Sequence, residues 1–102
     1  MAFKRAYLYN DREQQLSFYA HALAYPARAR IILQLNDEES LSVEELNVVH
    51  PLAKSTISQH LKVLRNTELV NFREEFPFTY YSLNPKNISR LKKELSHFLD
   101  NI

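Results

Sequence analysis

A mainly α-helical fold with one small β-hairpin is predicted by three observations. At roughly 100° per residue, Ile57, Leu61 and Leu64 fall on one apolar stripe while Ser55, Gln59 and Lys62 point the opposite way, as in an amphipathic helix. Directly after it, Val70, Phe72 and Glu74 alternate with Asn71 and Arg73 like a half-buried strand, and Thr79 to Leu83 supply the return strand. Just before it, a short helical pattern ends at His50 and Pro51, so only His50 to Ala53 connect the two helices, and so tight a connection forces a sharp angle. Together these describe a winged helix-turn-helix of about five helices and two strands.

The remaining elements follow in order. Residues 1–10 form an N-terminal arm, and residues 11–102 a single domain, since 102 residues leave no room for a second core. Asn10 or Asp11 caps a first helix reaching about Leu23, with Gln14 placed to complete a capping box if Asp11 is the cap. Pro26 ends that helix or opens the next, in which Ile31, Ile32 and Leu35 recur at helical spacing until the polar cluster Asn36 to Ser40. Ser42 followed by Glu45 is a capping-box signature opening the short helix, whose Val43, Leu46 and Val49 are available to the core. Pro77 lies near the hairpin tip, where a missing backbone donor is harmless. Asn84 caps a last helix with Pro85 at its first position. There Ile88, Leu91, Leu95, Phe98 and Ile102 recur at spacings of three and four, with Leu99 widening the stripe. That face either packs on its own domain or, beside Leu16, Tyr19 and Leu23 near the other end of the chain, forms a dimer seam.

Composition narrows the chemistry. Cysteine is absent, which removes disulfides, thiolate metal sites and thiol nucleophiles. Glycine is absent too, which excludes the glycine-rich phosphate loops of nucleotide-binding folds. No nucleophile–base pair or paired carboxylates stand at a recognisable spacing, so an enzyme is not expected. No apolar run approaches the roughly 20 residues of a membrane span, and MAFKRAYLYN has no signal-peptide core, so a cytoplasmic protein without membrane contact is expected. The net charge of +1 hides an asymmetry: residues 1–52 carry five Lys/Arg against seven Asp/Glu, a balance of −2, and residues 53–102 carry eight against five, a balance of +3. Between Ala53 and Arg73 the cations Lys54, Lys62, Arg65 and Arg73 face the single acid Glu68, so positive charge concentrates on the polar-faced helix and hairpin.

Three strings, in this order and spacing, resemble the ArsR family of winged helix-turn-helix repressors over roughly Ser17 to Asn84. LAYPARARIIL is similar to the family's L-A-x-P-x-R-x-x-I-L stretch, AKSTISQHLKVLRNTELV to its recognition segment, and YYSLN to the close of its wing. The resemblance implies a homodimer that reads a two-fold operator in double-stranded DNA, one recognition helix in each of two major grooves. By position Lys54, Ser55, Thr56, Ser58 and Gln59 sit near bases or phosphates; the Gln59 amide suits a base edge, while Lys62 and Arg73 suit phosphates. His60 lies nearer the apolar stripe and reads as a partly buried structural histidine, and of Tyr80 and Tyr81 one packs inward. The chain also departs from the family pattern. Phe76 and Pro77 replace the usual glycine and arginine of the wing tip, and Ala53 replaces a serine cap, at a cost of about 1 kcal/mol. Lys54 in the first turn opposes the helix dipole, which is sensible beside a phosphate.

Two metal sites of the family are disrupted. The Cys-Val-Cys type falls on Ser42, Val43 and Glu44, and the terminal-helix zinc type on Asn84, Lys86, His97 and Asp100, where a lysine replaces a ligand histidine. His21 and His50 have no ligand partner at a helical spacing. The expected function is therefore a homodimeric repressor without the usual metal sites and with no cofactor, its effector unidentified. The competing expectation is a winged-helix module whose Ser55/Gln59/Lys62 face contacts a partner protein instead of DNA.

Overall fold

The computed structural model describes residues 6–102, in which five α-helices pack with a three-stranded antiparallel sheet. After a single 3-10 turn at Ala6–Leu8, the helices are α1 (Asp11–Ala22), α2 (Pro26–Glu38), α3 (Val43–Val49), α4 (Lys54–Asn66) and α5 (Pro85–Asp100). The strands are β1 (Leu41–Ser42), β2 (Val70–Glu75) and β3 (Phe78–Leu83), with β3 in the middle. The expected arm, residues 1–10, lies partly outside the described residues. β1 adds a third strand to the two expected; its two residues pair with Tyr81 and Tyr80 just before Ser42 turns into α3. No helix among the described residues is long and apolar enough to cross a membrane.

Side-chain caps start α1, α3 and α5. Asn10, the first of the two candidate caps, begins α1: its Oδ1 accepts from the Glu13 amide at 2.8 Å, and Glu13 Oε1 accepts from the Asn10 amide at 2.9 Å. Gln14, the partner expected had Asp11 been the cap, instead donates to the Tyr9 carbonyl. Pro26 opens α2. Ser42 and Glu45 form the predicted box on α3, and Asn84 Oδ1 accepts from the Asn87 amide at the head of α5.

The end of α4 is closed without glycine. Leu69 donates to the Leu64 carbonyl at 3.1 Å and Glu68 to that of Arg65 at 2.9 Å, the paired bonds of a Schellman motif, with Leu64 and Leu69 both fully buried. The motif needs a left-handed residue, and Glu68 takes that place at φ 60°. Asn87 Nδ2 of α5 donates to the Glu68 carbonyl at 2.9 Å, and the Asn84 amide to that of Leu69 at 2.9 Å, so the end of α4 and the start of α5 are bonded together.

Ile31, Leu35, Leu46, Ile57, Leu61 and Leu64 make the centre of the core, drawn from α2, α3 and α4. The expected half-buried alternation of β2 does not hold: Val70 alone is buried in that strand, and Phe72 is 45% exposed. Phe72 shares the core face, opposite buried Tyr81, but every residue from Asn71 to Phe78 is exposed, so the hairpin projects beyond the packed core. The Arg65 guanidinium covers the Phe72 ring instead, 3.6 Å from its centroid.

Candidate nucleic-acid interface

The polar face of α4 is set by what its other face buries. Ile57, Leu61 and Leu64 are fully buried, each worth about 1.5–3 kcal/mol of transfer free energy, so the rotation of the helix about its axis is fixed. The opposite face is then presented: Ser55, Ser58, Gln59 and Lys62 are exposed, with Lys54 beside them and Thr56 half-buried. Asn47 Nδ2 donates to the Leu52 carbonyl at 3.1 Å and holds the turn from α3 to α4. A second tie crosses the same turn, an ion pair between Lys54 and Glu44. Hydrogen bonding from Lys54 holds the Glu44 carboxyl below the usual carboxylate range. Both partners are largely solvent-facing, so the pair is exchangeable for a phosphate at small cost. Ala53 caps α4 with no side-chain bond, which leaves the positive end of the helix dipole to other acceptors.

Arg73 stands apart from this group, on β2. Its Nε donates to Glu75 Oε1 at 2.7 Å and its guanidinium lies 5.0 Å from the Tyr80 ring centroid. With Glu74 and Glu75 following it, the outer hairpin carries more negative than positive charge, and Phe76 at the tip is 99% exposed. Tyr81 is the tyrosine that packs inward; Tyr80 is half-buried and meets Phe78 edge-on.

Beneath α4 lies a cluster that sequence reasoning only partly located. Arg28 is 4% exposed: Nε donates to the Ala22 carbonyl at 2.7 Å and Nη2 to that of His21 at 3.0 Å, satisfying the C-terminal end of α1. Its guanidinium stacks over Tyr25 at 4.3 Å, and Nη1 is 3.4 Å from His60 Nδ1. His60 is half-buried, as expected, with its ring centroid 5.5 Å from that of Tyr25. His50 is buried and its Nε2 donates to Gln34 Oε1 at 2.7 Å. Burial, then the neighbouring cations, holds both imidazoles below their ordinary 6.5: Arg30 and His60 act on His50, and Arg28 on His60. The signal for Arg28 was its place two residues after the proline that opens α2, within reach of the carbonyls ending α1.

The terminal helices divide the expected dimer seam into two sets. Tyr19 and Leu91 are buried at 2% and 7% in the chain's own core. Leu16, Leu23 and Leu95 are half-buried, while Phe98, Leu99 and Ile102 are exposed. Arg12 and Glu94 fasten α1 to α5 at 3.1 Å.

Comparison with known proteins places this geometry. Residues 25–71, from the Tyr25 cap of α2 to the first residues of β2, match the family model described as bacterial regulatory protein, arsR family. The chain is 33% identical over 89 residues to a transcriptional repressor SmtB homolog of Synechocystis, covering 87% of this chain and 67% of that one. It is 40% identical over 78 residues to the transcriptional activator HlyU of Vibrio cholerae, covering 76% and 70%. The solved structure of HlyU from Vibrio cholerae superposes with a TM-score of 0.73 at 30% identity, over 88% of this chain and 97% of that one.

Proposed function

The chain belongs to the ArsR family of bacterial regulatory proteins and is a DNA-binding transcriptional regulator, and we propose that it acts as a homodimeric repressor of a two-fold operator. The observation that carries the reading is the face of α4: Ser55, Ser58, Gln59 and Lys62 are exposed together on a helix whose other side is wholly buried. Gln59 supplies a bidentate amide for an adenine edge. Ser55, Thr56 and Ser58 supply hydroxyls for base edges or phosphates, and Lys54, Lys62 and Arg73 neutralise phosphates. Lys54 exchanges Glu44 for DNA. The wing contributes less, because Glu74 and Glu75 oppose the field that draws in phosphate.

Two-fold symmetry comes from α1 and α5. Phe98, Leu99 and Ile102 leave apolar surface uncovered on the last two turns and tail of the chain, flanked by Leu16, Leu23 and Leu95. A second copy covers it and sets two α4 helices about one turn of DNA apart. Repression then needs only occupancy of the operator. The metal positions of relatives do not fit a metal here. Ser42 Oγ and Asn84 Oδ1 are spent on helix amides, Glu44 is paired with Lys54, and Lys86 brings a positive charge.

The test is duplex binding as a function of salt, with a DNA selected by the protein from a randomised pool. Affinity falls log-linearly, with a slope of about −0.9 per phosphate neutralised, and the selected site is an inverted repeat. Absence of measurable duplex affinity at low salt overturns the reading in favour of a protein-binding module.

A further inference from the structure

A cavity of about 380 Å³ opens between the start of α2, the α3–α4 turn and α4. Its walls are apolar, from Tyr25, Pro26, Ala27, Pro51 and Leu52, and its polar lining is Arg30, His50 and His60, with no carboxylate among them. The size falls within the range of small-ligand sites, roughly 300–1,000 Å³, and the charge of the lining has one sign. Arg28 donates to His60 Nδ1, so that nitrogen offers its lone pair and the ring proton sits on Nε2, which has no protein partner among the described residues. His50 gives its Nε2 proton to Gln34, leaving Nδ1 without one. Arg30 is exposed at the rim. The site thus offers an N–H donor, a guanidinium and a second imidazole able to take up a proton, around an apolar chamber of ring size.

We propose that this cavity binds a small aromatic carboxylate, its ring against Tyr25, Pro26 and Leu52 and its anionic group between Arg30, His60 and His50. An anion there offsets the repulsion between Arg30 and a protonated His50 and so favours proton uptake at the open His50 Nδ1, while His60, whose Nδ1 accepts from Arg28, donates from Nε2 as a neutral ring. A neutral isostere gains the apolar contacts but none of that relief. Inorganic phosphate gains charge contact and loses the apolar ones. Because His60 adjoins Gln59 on α4, an occupant acts on the helix that reads DNA, a consequence that rests on the proposed function.

The test uses the full chain without DNA, so its outcome is independent of the operator reading. Benzoate is titrated while histidine ring resonances are followed by NMR, with benzamide and inorganic phosphate in parallel. Benzoate shifts His50 and His60 saturably, with a dissociation constant on the order of millimolar, and raises the pH midpoint of His50. Arg30→Gln, at an exposed position that leaves the fold intact, weakens benzoate binding about fivefold and leaves benzamide unchanged. The proposal is overturned if benzoate produces no saturable shift, if Arg30→Gln binds it equally well, or if phosphate matches benzoate.

Discussion

The Asn87 side-chain amide donates to the carbonyl of Glu68 at 2.9 Å, which binds the first turn of α5 to the left-handed residue that ends α4. The bond spans the two functions of the fold. One end positions the helix proposed to face DNA, and the other begins the helix proposed to hold the dimer together. Glu68→Gly is expected to stabilise the protein by about 0.5–1 kcal/mol, the relief of left-handed strain less the added freedom of the unfolded chain. Asn87→Ala is expected to destabilise it by about 1 kcal/mol. Urea unfolding midpoints measure both, and a glycine variant less stable than the parent contradicts the strain assignment.

Gln59→Ala and Lys62→Ala separate sequence reading from charge. The glutamine change is expected to reduce preference for the selected site over random duplex by about 1–3 kcal/mol, with random-duplex affinity nearly unchanged. The lysine change weakens both alike and makes the salt slope shallower by about one. Competition binding at two salt concentrations distinguishes them; equal losses on both duplexes for Gln59→Ala refute its role as a base reader.

Glu44→Gln tests the occupied state of Lys54. Releasing the ammonium and removing one negative charge beside it is expected to raise affinity for all duplexes roughly two- to fivefold, with little change in stability because the pair is exposed. A marked drop in the urea midpoint would show that the pair holds α3 to α4 more than it waits for phosphate.

The apolar surface of α5 can be divided by mutation. Phe98→Asp and Leu99→Asp alter exposed positions, so the expected product is a folded monomer in sedimentation, with helical circular dichroism retained and operator binding lost. Leu91→Ala removes a buried side chain and is expected to cost about 2–4 kcal/mol of protomer stability. A Phe98→Asp protein that still sediments as a dimer moves the interface elsewhere.

Acid should loosen the fold from around neutral pH downward. His50 and His60 are held below 6.5 when folded but titrate near 6.5 when unfolded, so below that value the unfolded chain binds more protons. Their contribution is fully present above 6.5 and is lost as pH falls toward the lowered folded values. Urea midpoints at pH 7.5 and 5.5 measure the slope, and His50→Gln with His60→Gln should flatten it. A parent protein that gains stability over this interval disproves the assignment.

Local chemistry was legible along the chain wherever one residue acts on its near neighbours. The Ser42–Glu45 capping box, the Asn84 cap and proline start of α5 and the buried stripe of α4 are all relations within a few positions, whereas Pro26 alone left open whether it ended α1 or began α2. The choice between Asn10 and Asp11 was open because both are good caps one residue apart; the reciprocal hydrogen bonds between Asn10 and Glu13 make Asn10 the cap. The two-residue strand β1 left no periodic trace, since its pairing is made by residues some forty positions away.

By itself, then, the sequence determined the order of elements, the family, and the polar face of α4 from Ser55 to Lys62. Tertiary structure decided how much of each amphipathic stripe remains for anything outside the protomer. Tyr19 and Leu91 are consumed by the protomer's own core while Phe98, Leu99 and Ile102 are not, and Phe72 lies on the core face yet beyond the core. It alone brought Arg28, His60 and Tyr25 together with His50 beside a cavity. The physical reason is that periodicity reports which way a side chain points, whereas burial and pairing depend on what another part of the chain puts in front of it.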